Sequence, residues 1–280
     1  MKTTVLTLKA QKQNGDKITM LTAYDYSTAL LMDEADIDCL LVGDSLGMVM
    51  LGYENTLAVT VEDIIYHTRA VARAAKHAMV IADMPFLSYQ VNVEDAVRNA
   101  GRFLKEANAH AVKLEGGREV CPQIRAITDA TIPVVAHLGL TPQSVNALGG
   151  FKVQGRDATA AYRLLHDALA VEEAGAFAVV LECVPADLAT WITGKLSIPT
   201  IGIGAGAGCD GQVLVYQDML GLYGGTPAKF VKQFANAGEL MRQGFSSYIE
   251  EVKNGAFPAQ EHCYKIEPEA LAEAKRMAGE

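Results

Sequence analysis

The sequence predicts a (β/α)8 barrel, and two observations carry the prediction. Short runs rich in Val, Ile and Leu recur eight times, at 18–23, 39–42, 79–82, 111–114, 132–136, 177–181, 199–203 and 212–216. Unbroken apolar runs of this length suit strands buried on both faces, as in a parallel sheet. Most of the runs are separated by amphipathic stretches of ten or more residues. Eight strands in 280 residues leave roughly 35 residues per unit, the length of a strand plus a crossover helix. No Pro/Ser-rich linker or charge block divides the chain, so one domain is expected over 1–280, with an N-terminal segment 1–16 and a C-terminal tail 263–280 peripheral to it. A doubly wound sheet is the alternative, because only residues 204–211 separate the last two runs, too few for an ordinary helix.

Among the helices, 60–76 has the clearest pattern. Thr60 suits the cap, Glu62 and Asp63 favour the first turn, and Ile64, Ile65, Thr68, Val71 and Ala72 line one side. Segments 92–107, 119–130, 157–174 and 185–196 read the same way, and 227–252 reads as a long final helix. The glycines at 202, 204, 206 and 208 suit close backbone approach at the barrel mouth. Gly202-x-Gly204-x-x-Ala207 has the spacing of a dinucleotide fingerprint. It follows a late strand, opens no helix and has no acidic strand end about 20 residues on, which excludes that reading.

Composition excludes several classes of function. A chain this long buries roughly 75% of its unfolded surface and needs no disulfide or metal staple. Half the residues are apolar, 20% are charged, and 24 Lys and Arg face 33 Asp and Glu, for a net charge of −9. That balance argues against a protein held to nucleic acid by phosphate contacts. The five cysteines (39, 121, 183, 209 and 263) form no C-x-x-C pair and read as reduced thiols of a cytosolic protein. Residues 1–16 lack the apolar core of a signal peptide, and no run of 18 apolar residues occurs. A cytoplasmic protein is expected, with neither membrane nor nucleic acid as partner.

The candidate chemistry lies where the strands end. Runs two to six close on Asp44, Asp83, Glu115, His137 and Glu182. In a parallel barrel these ends share one face, the face where barrel enzymes carry their sites. One such residue is explained as well by helix capping as by function; five in register point to a shared site. Crowded carboxylates repel one another unless a cation or protons intervene. Oxygen ligands without clustered Cys or His suit magnesium better than zinc. Asp44, Asp83 and Glu115 end consecutive strands and can share one ion, while Glu182, two strands further on, stays free to act as a base. Lys113 lies on the inward face of the strand carrying Glu115 and suits a substrate carboxylate, and Ser45 offers a hydroxyl beside Asp44. Tyr24 lines the mouth or packs beneath it. His67, His77 and His166 fall in helical patterns and read as solvent-facing or structural, and the methionines as core filler.

Eight motifs then identify a family. L-T-A-Y-D-Y-S at 21–27, V-G-D-S-L-G-M at 42–48, A-D-M-P-F at 82–86 and V-K-L-E-G-G at 112–117 are followed by H-L-G-L-T-P-Q-S at 137–144. G-G-F-K-V-Q-G-R at 149–156, L-E-C-V-P at 181–185 and I-G-I-G-A-G at 201–206 complete the set. In order, from about residue 17 to 262, they resemble ketopantoate hydroxymethyltransferases. The resemblance implies a (β/α)8 TIM barrel of the phosphoenolpyruvate/pyruvate-binding type, assembled as a homodecamer of two pentamer rings. It implies hydroxymethyl transfer from 5,10-methylene-tetrahydrofolate to 3-methyl-2-oxobutanoate, giving 2-dehydropantoate for pantothenate biosynthesis. It implies Mg2+ at Asp44, Asp83 and Glu115, the 2-oxo acid against Asp44, Ser45, Asp83 and Lys113, and Glu182 as proton acceptor. His137 and Tyr24 enter as auxiliary residues, His137 to orient the incoming group or relay a proton. The alternative is another member of the superfamily, an isocitrate-lyase-like carbon–carbon lyase or a phosphonomutase. Such lyases carry a K-K-C-G-H lid motif, and this chain has no such run.

Overall fold

The structure is a computed structural model that describes residues 2–222 and 227–280. Eight parallel strands close in sequence order: β1 Ile18–Thr22, β2 Cys39–Val42, β3 Met79–Asp83, β4 Ala111–Glu115, β5 Val134–Gly139, β6 Ala178–Glu182, β7 Thr200–Ile203 and β8 Gly211–Leu214. The last pairing, β8 on β1, aligns Ile18 with Gly211 and Leu21 with Leu214, which closes the ring and excludes the doubly wound alternative.

Side chains alternate in and out along each strand. Ile18 and Met20, Cys39 and Leu41, Met79 and Ile81, Ala111, Val135, Ala178 and Val180, Ile201 and Val213 fill the interior as one apolar cluster. The intervening residues form a second cluster under the helices. Following the inward parity upward places Asp83, Lys113, Glu115, His137 and Glu182 directly above the apolar filling, at the C-terminal ends of the strands.

The helical layer is α2 Tyr26–Glu34, α4 Val61–Ala74, α5 Val93–Ala107, α6 Cys121–Asp129, α8 Ala158–Glu173 and α9 Ala186–Thr193, with four-residue turns α3 Leu46–Val49, α7 Val145–Leu148 and α10 Tyr216–Met219. Thr60 caps α4 in a reciprocal box with Asp63, and Asn92 and Asp157 cap α5 and α8. Segment 119–130 begins one turn of 3-10 helix, Arg118–Val120, before α6.

Three expectations are corrected. Residues 1–16 are not peripheral: Val5–Asn14 forms α1, and Met1 lies outside the described residues. Leu8, 2% exposed, joins the barrel's interior cluster at its N-terminal end, and Lys12 pairs with Asp210 at 2.7 Å and donates to the Thr193 carbonyl. The helix expected over 227–252 begins ten residues later and is not the last. Residues 227–236 are irregular, and α11 runs Ala237–Asn254 behind an Asn236 cap. Beyond Glu239 every residue of α11 is exposed, as are all of α12, Pro268–Ala278. Third, the glycines after β7 serve the barrel wall more than its mouth. Residues 204–210 descend from the end of β7 to the start of β8 against α9, where a Cβ on Gly208 would lie 2.0 Å from Thr190 Oγ1. An extended chain covers roughly 3.3 Å per residue, so these few residues span the strand length without a helix.

No described helix is long and apolar enough to cross a membrane.

Candidate active site

The five strand-end residues converge as one connected group. Register sets Asp83 beside Lys113, Glu115 beside His137, and Gly139 beside Glu182. Lys113 Nζ lies 2.7 Å from Asp83 Oδ1, 3.4 Å from His137 Nδ1 and 3.8 Å from Glu115 Oε1. His137 Nδ1 is 3.3 Å from Glu115 Oε1, and its Nε2 is 3.2 Å from Glu182 Oε2. A chain of alternating charge thus runs Asp83, Lys113, Glu115, His137, Glu182.

Asp44 breaks the inward parity of β2, and a tight turn after that strand aims it. Leu46 N–H donates to the Gly43 carbonyl, and Asp44 N–H donates to Asp83 Oδ2 at 3.2 Å. Ser45 is held by the buried Tyr24, hydroxyl to hydroxyl at 2.7 Å. Tyr24 therefore orients Ser45 from beneath, and His67 in turn contacts the Tyr24 carbonyl through Nδ1 at 2.6 Å. Of the histidines set aside from the sequence, His67 is structural, His77 is exposed and His166 packs on Tyr162 at 4.2 Å between ring centroids.

Burial and crowding leave strong electrostatic marks. The Asp44 carboxyl is pushed well above its usual range by burial, then by the charges of Asp83 and Glu115. Burial also raises Asp83, outweighing the pull of Lys113. Burial would raise Glu115 too, but the adjoining His137 and Lys113 and the backbone N–H of Gln143 hold it below its usual value. Burial lowers and the carboxylates raise Lys113; the carboxylates win and it stays charged. Burial and Lys113 act against the His137 charge, yet Glu115 and Glu182 raise its pKa to about 9. That raised value favours the imidazolium form, whose two nitrogens lie within ion-pair distance of the flanking carboxylates Glu115 and Glu182.

Two residues that the strand-end pattern did not single out tie the group together. Gln143 lies in the turn after β5, 5% exposed. Its Nε2 donates to Asp44 Oδ2 at 2.9 Å and to the Met84 carbonyl at 3.0 Å, and its backbone N–H donates to Glu115 Oε2 at 3.0 Å. Tyr89, fully buried, gives its hydroxyl to Gln143 Oε1 at 2.8 Å and accepts from Glu115 N–H at 3.1 Å. Gly139 makes the turn possible. Its φ is +94°, and a Cβ there would sit 2.2 Å from the Glu182 carbonyl oxygen. That carbonyl accepts Leu140 N–H at 2.8 Å, which locks the loop over β6. Gln143 stands within H-L-G-L-T-P-Q-S, where a polar residue shortly after a strand end was the available signal; Tyr89 had none.

Among the described residues, no group of three or more His, Cys, Asp or Glu side chains stands at metal-holding distances. The donor set nevertheless fits a hard divalent cation. Three buried carboxylates face one lysine, all donors are oxygens, and Glu115 Oε1 is buried without a directed hydrogen bond. A cation beside Asp44 and Asp83 would offset the burial and like-charge crowding that push their carboxyls upward.

The mouth adjoins a cavity of about 370 Å3 between the loops after β3, β4 and β5 and helix α8, whose walls include Phe86, Tyr89, Gln90, Glu115, Ser144 and Arg163. Glu182 is the most accessible acid of the group: its side chain is 16% exposed, against 2% for Asp83 and 3% for Glu115.

Comparison with known proteins bears on the fold and the family. Phosphonopyruvate hydrolase, solved in complex with oxalate and Mg2+, superposes with a TM-score of 0.61 at 14% identity, covering 99% of this chain and 97% of that one. A 2,3-dimethylmalate lyase of the PEP mutase/isocitrate lyase superfamily superposes at 0.59 and 16% identity, covering 100% and 99%. At such identities the likeness is one of fold. Sequence is more specific. The 3-methyl-2-oxobutanoate hydroxymethyltransferases of Clostridium novyi (strain NT) and Enterococcus faecalis (strain ATCC 700802 / V583) are each 64% identical over 271 residues, 97% of this chain and 98% of theirs. The signature of the family described as ketopantoate hydroxymethyltransferase matches residues 2–260. The hydrolase and the lyase share the barrel at 14% and 16% identity, and the chain itself belongs to the ketopantoate hydroxymethyltransferase family.

Proposed function

We propose that this enzyme transfers a hydroxymethyl group from 5,10-methylene-tetrahydrofolate to 3-methyl-2-oxobutanoate, forming 2-dehydropantoate for pantothenate biosynthesis. Family membership supports the reaction, and the alternating charge chain at the mouth supports the roles within it.

Asp44, Asp83 and Glu115 would hold Mg2+, which when bound supplies positive charge beside the keto and carboxylate oxygens of the 2-oxo acid. Lys113 carries a fixed ammonium for the substrate carboxylate, with Ser45, positioned by Tyr24, and Asp44 and Asp83 as further contacts. Glu182 takes the proton from carbon 3, producing an enolate. Water frees the methylene carbon from the two folate nitrogens, which leave protonated as tetrahydrofolate; carbon 3 of the enolate attacks that carbon at the formaldehyde level, and the alkoxide so formed is protonated to the hydroxyl of the new group. The single observation that carries this assignment is the position of Glu182: accessible at the mouth, separated from the other carboxylates by His137, and within ion-pair distance (3.2 Å) of that ring's Nε2. His137 fixes which Glu182 oxygen faces the substrate and offers a proton site beside it. The adjoining cavity supplies room for the carrier next to Gly139, the register neighbour of Glu182.

The reading extends to a cytoplasmic homodecamer of two pentamer rings. The stripe Leu240, Met241, Phe245, Tyr248, Ile249 and Val252 on α11, each 45–68% exposed, supports self-association, since an apolar surface of that kind is commonly buried between subunits.

Proton NMR of 3-methyl-2-oxobutanoate in heavy water tests the chemistry. Enzyme plus Mg2+ should exchange the carbon-3 proton without folate, and adding the one-carbon carrier should then yield 2-dehydropantoate. No exchange under conditions that support product formation would remove the enolate from the mechanism.

A further inference from the structure

We infer that Gln143 is a positioning residue that sets the spacing and aim of the Asp44 and Glu115 carboxylates. The inference deepens the metal reading above and rests on it.

Gln143 is joined to both carboxylates by different atoms. Its side-chain amide donates to Asp44 Oδ2, and its backbone N–H donates to Glu115 Oε2. One residue on the β5 loop thereby links acids at the ends of β2 and β4, two strands that do not pair with each other. In each acid one oxygen is committed to Gln143. For Glu115 the other oxygen, Oε1, turns toward Lys113 and His137 without a directed hydrogen bond. Gln143 thus determines which carboxylate oxygen faces the interior of the site.

The orientation of the amide is fixed by its surroundings. Nε2 faces two oxygens, Asp44 Oδ2 and the Met84 carbonyl, while Oε1 faces the Tyr89 hydroxyl at 2.8 Å and Gln90 Nε2 at 3.2 Å. A flipped amide would set oxygen against two oxygens and nitrogen against a donor. Tyr89 therefore holds Gln143, and Gln143 holds Asp44. The amide also meets a need at Asp44, whose carboxyl is crowded by Asp83 and Glu115 and whose Oδ2 receives a donor in this way.

Groups that orient metal-binding carboxylates are typically worth 10–100-fold in metal affinity. Gln143→Leu removes the amide but keeps its bulk and the backbone N–H to Glu115. Tyr89→Phe leaves the amide in place and removes the hydroxyl that orients it. Titration of metal-free protein with Mn2+ by calorimetry should show roughly 10–100-fold weaker binding for Gln143→Leu and a smaller loss in the same direction for Tyr89→Phe. At saturating metal, Gln143→Leu should raise the KM for the 2-oxo acid more than it lowers kcat. A lowered melting temperature with unchanged Mn2+ affinity in both variants would make Gln143 a structural linker and overturn the inference. If Gln143→Leu does not fold, Tyr89→Phe decides by the same criterion. Wild-type protein that binds no divalent cation would instead overturn the metal reading, and the inference with it.

Discussion

Replacing Glu182 by Gln isolates the base. The amide keeps the side chain's shape and an oxygen facing His137 Nε2, which lies 3.2 Å from Glu182 Oε2, but it has no useful basicity. Two features of the structure limit collateral damage. The side chain is partly exposed, so the replacement buries no new polar group, and His137 stands between it and Glu115, so the proposed cation site is not touched. The expected loss is therefore confined to proton abstraction. A positioned base contributes roughly 10²–10⁴-fold, which is about 3–5 kcal/mol on the barrier. Carbon-3 exchange in heavy water and 2-dehydropantoate formation should fall together by that factor, because enolate formation precedes carbon–carbon bond formation. Calorimetric affinities for Mg2+ and the 2-oxo acid should stay near wild type. Loss of Mg2+ binding would make Glu182 a ligand. A normal exchange rate without product would move its role to the folate step, and either result would refute the assignment.

Three further outcomes are expected. Asp83→Ala removes a proposed ligand and the partner of Lys113, so Mg2+ affinity measured by titration and turnover should both collapse; normal values for both would exclude Asp83 as a ligand. Lys113→Met removes the positive member of a buried ion pair, a change that typically costs about 3–5 kcal/mol. Its melting temperature should fall, and its affinity for the 2-oxo acid at saturating Mg2+ should fall strongly; near-normal affinity would confine Lys113 to charge balance. Asp33 is a test of stability remote from the site. Burial raises its pKa, but the backbone N–H groups of Ala78, His77 and Lys76, at 2.8–3.3 Å, outweigh burial and depress it. Its contribution is present above the unfolded carboxyl value of about 3.9 and is lost as pH falls through the depressed folded value. Denaturant melts of Asp33→Asn should show a deficit at pH 7 that shrinks in acid; a deficit independent of pH would refute the linkage.

Much of the barrel was legible because its two periodicities are local. The eight apolar runs correspond to β1–β8 within a few residues, and the Thr60, Asn92 and Asp157 caps open their helices as read. The errors fall where local pattern is silent or misleading. Val5–Asn14 has little amphipathic character, so nothing in its spacing announced that Leu8 would reach the barrel interior. Residues 227–236 contain apolar residues at plausible helical spacing, yet they stay irregular, and Phe234 and Ala237 instead bond their N–H groups to the carbonyls of Met219 and Leu220. The glycines after β7 were recognised as sites of close approach, but only the fold shows that Gly206 and Gly208 meet α9 and Gly204 meets Phe230.

The same division runs through the site. Strand alternation is a two-residue rule, so Asp83, Lys113, Glu115, His137 and Glu182 were bound to share an interior face once the runs were read as parallel strands. Which of them touch is a matter of register across paired strands, and no short window of sequence encodes it. Asp44 and Gln143 are 99 positions apart and meet only because the ring closes and Gly139 lets the β5 loop fold inward. The charge states follow from that closure. The raised pKa of His137 and the crowding of Asp44 arise from burial beside specific opposite and like charges, and burial is a property of the assembled barrel. Residue types and faces are written locally; contacts, ion pairing and protonation come from bringing distant strands within a few ångströms of one another in a dry interior.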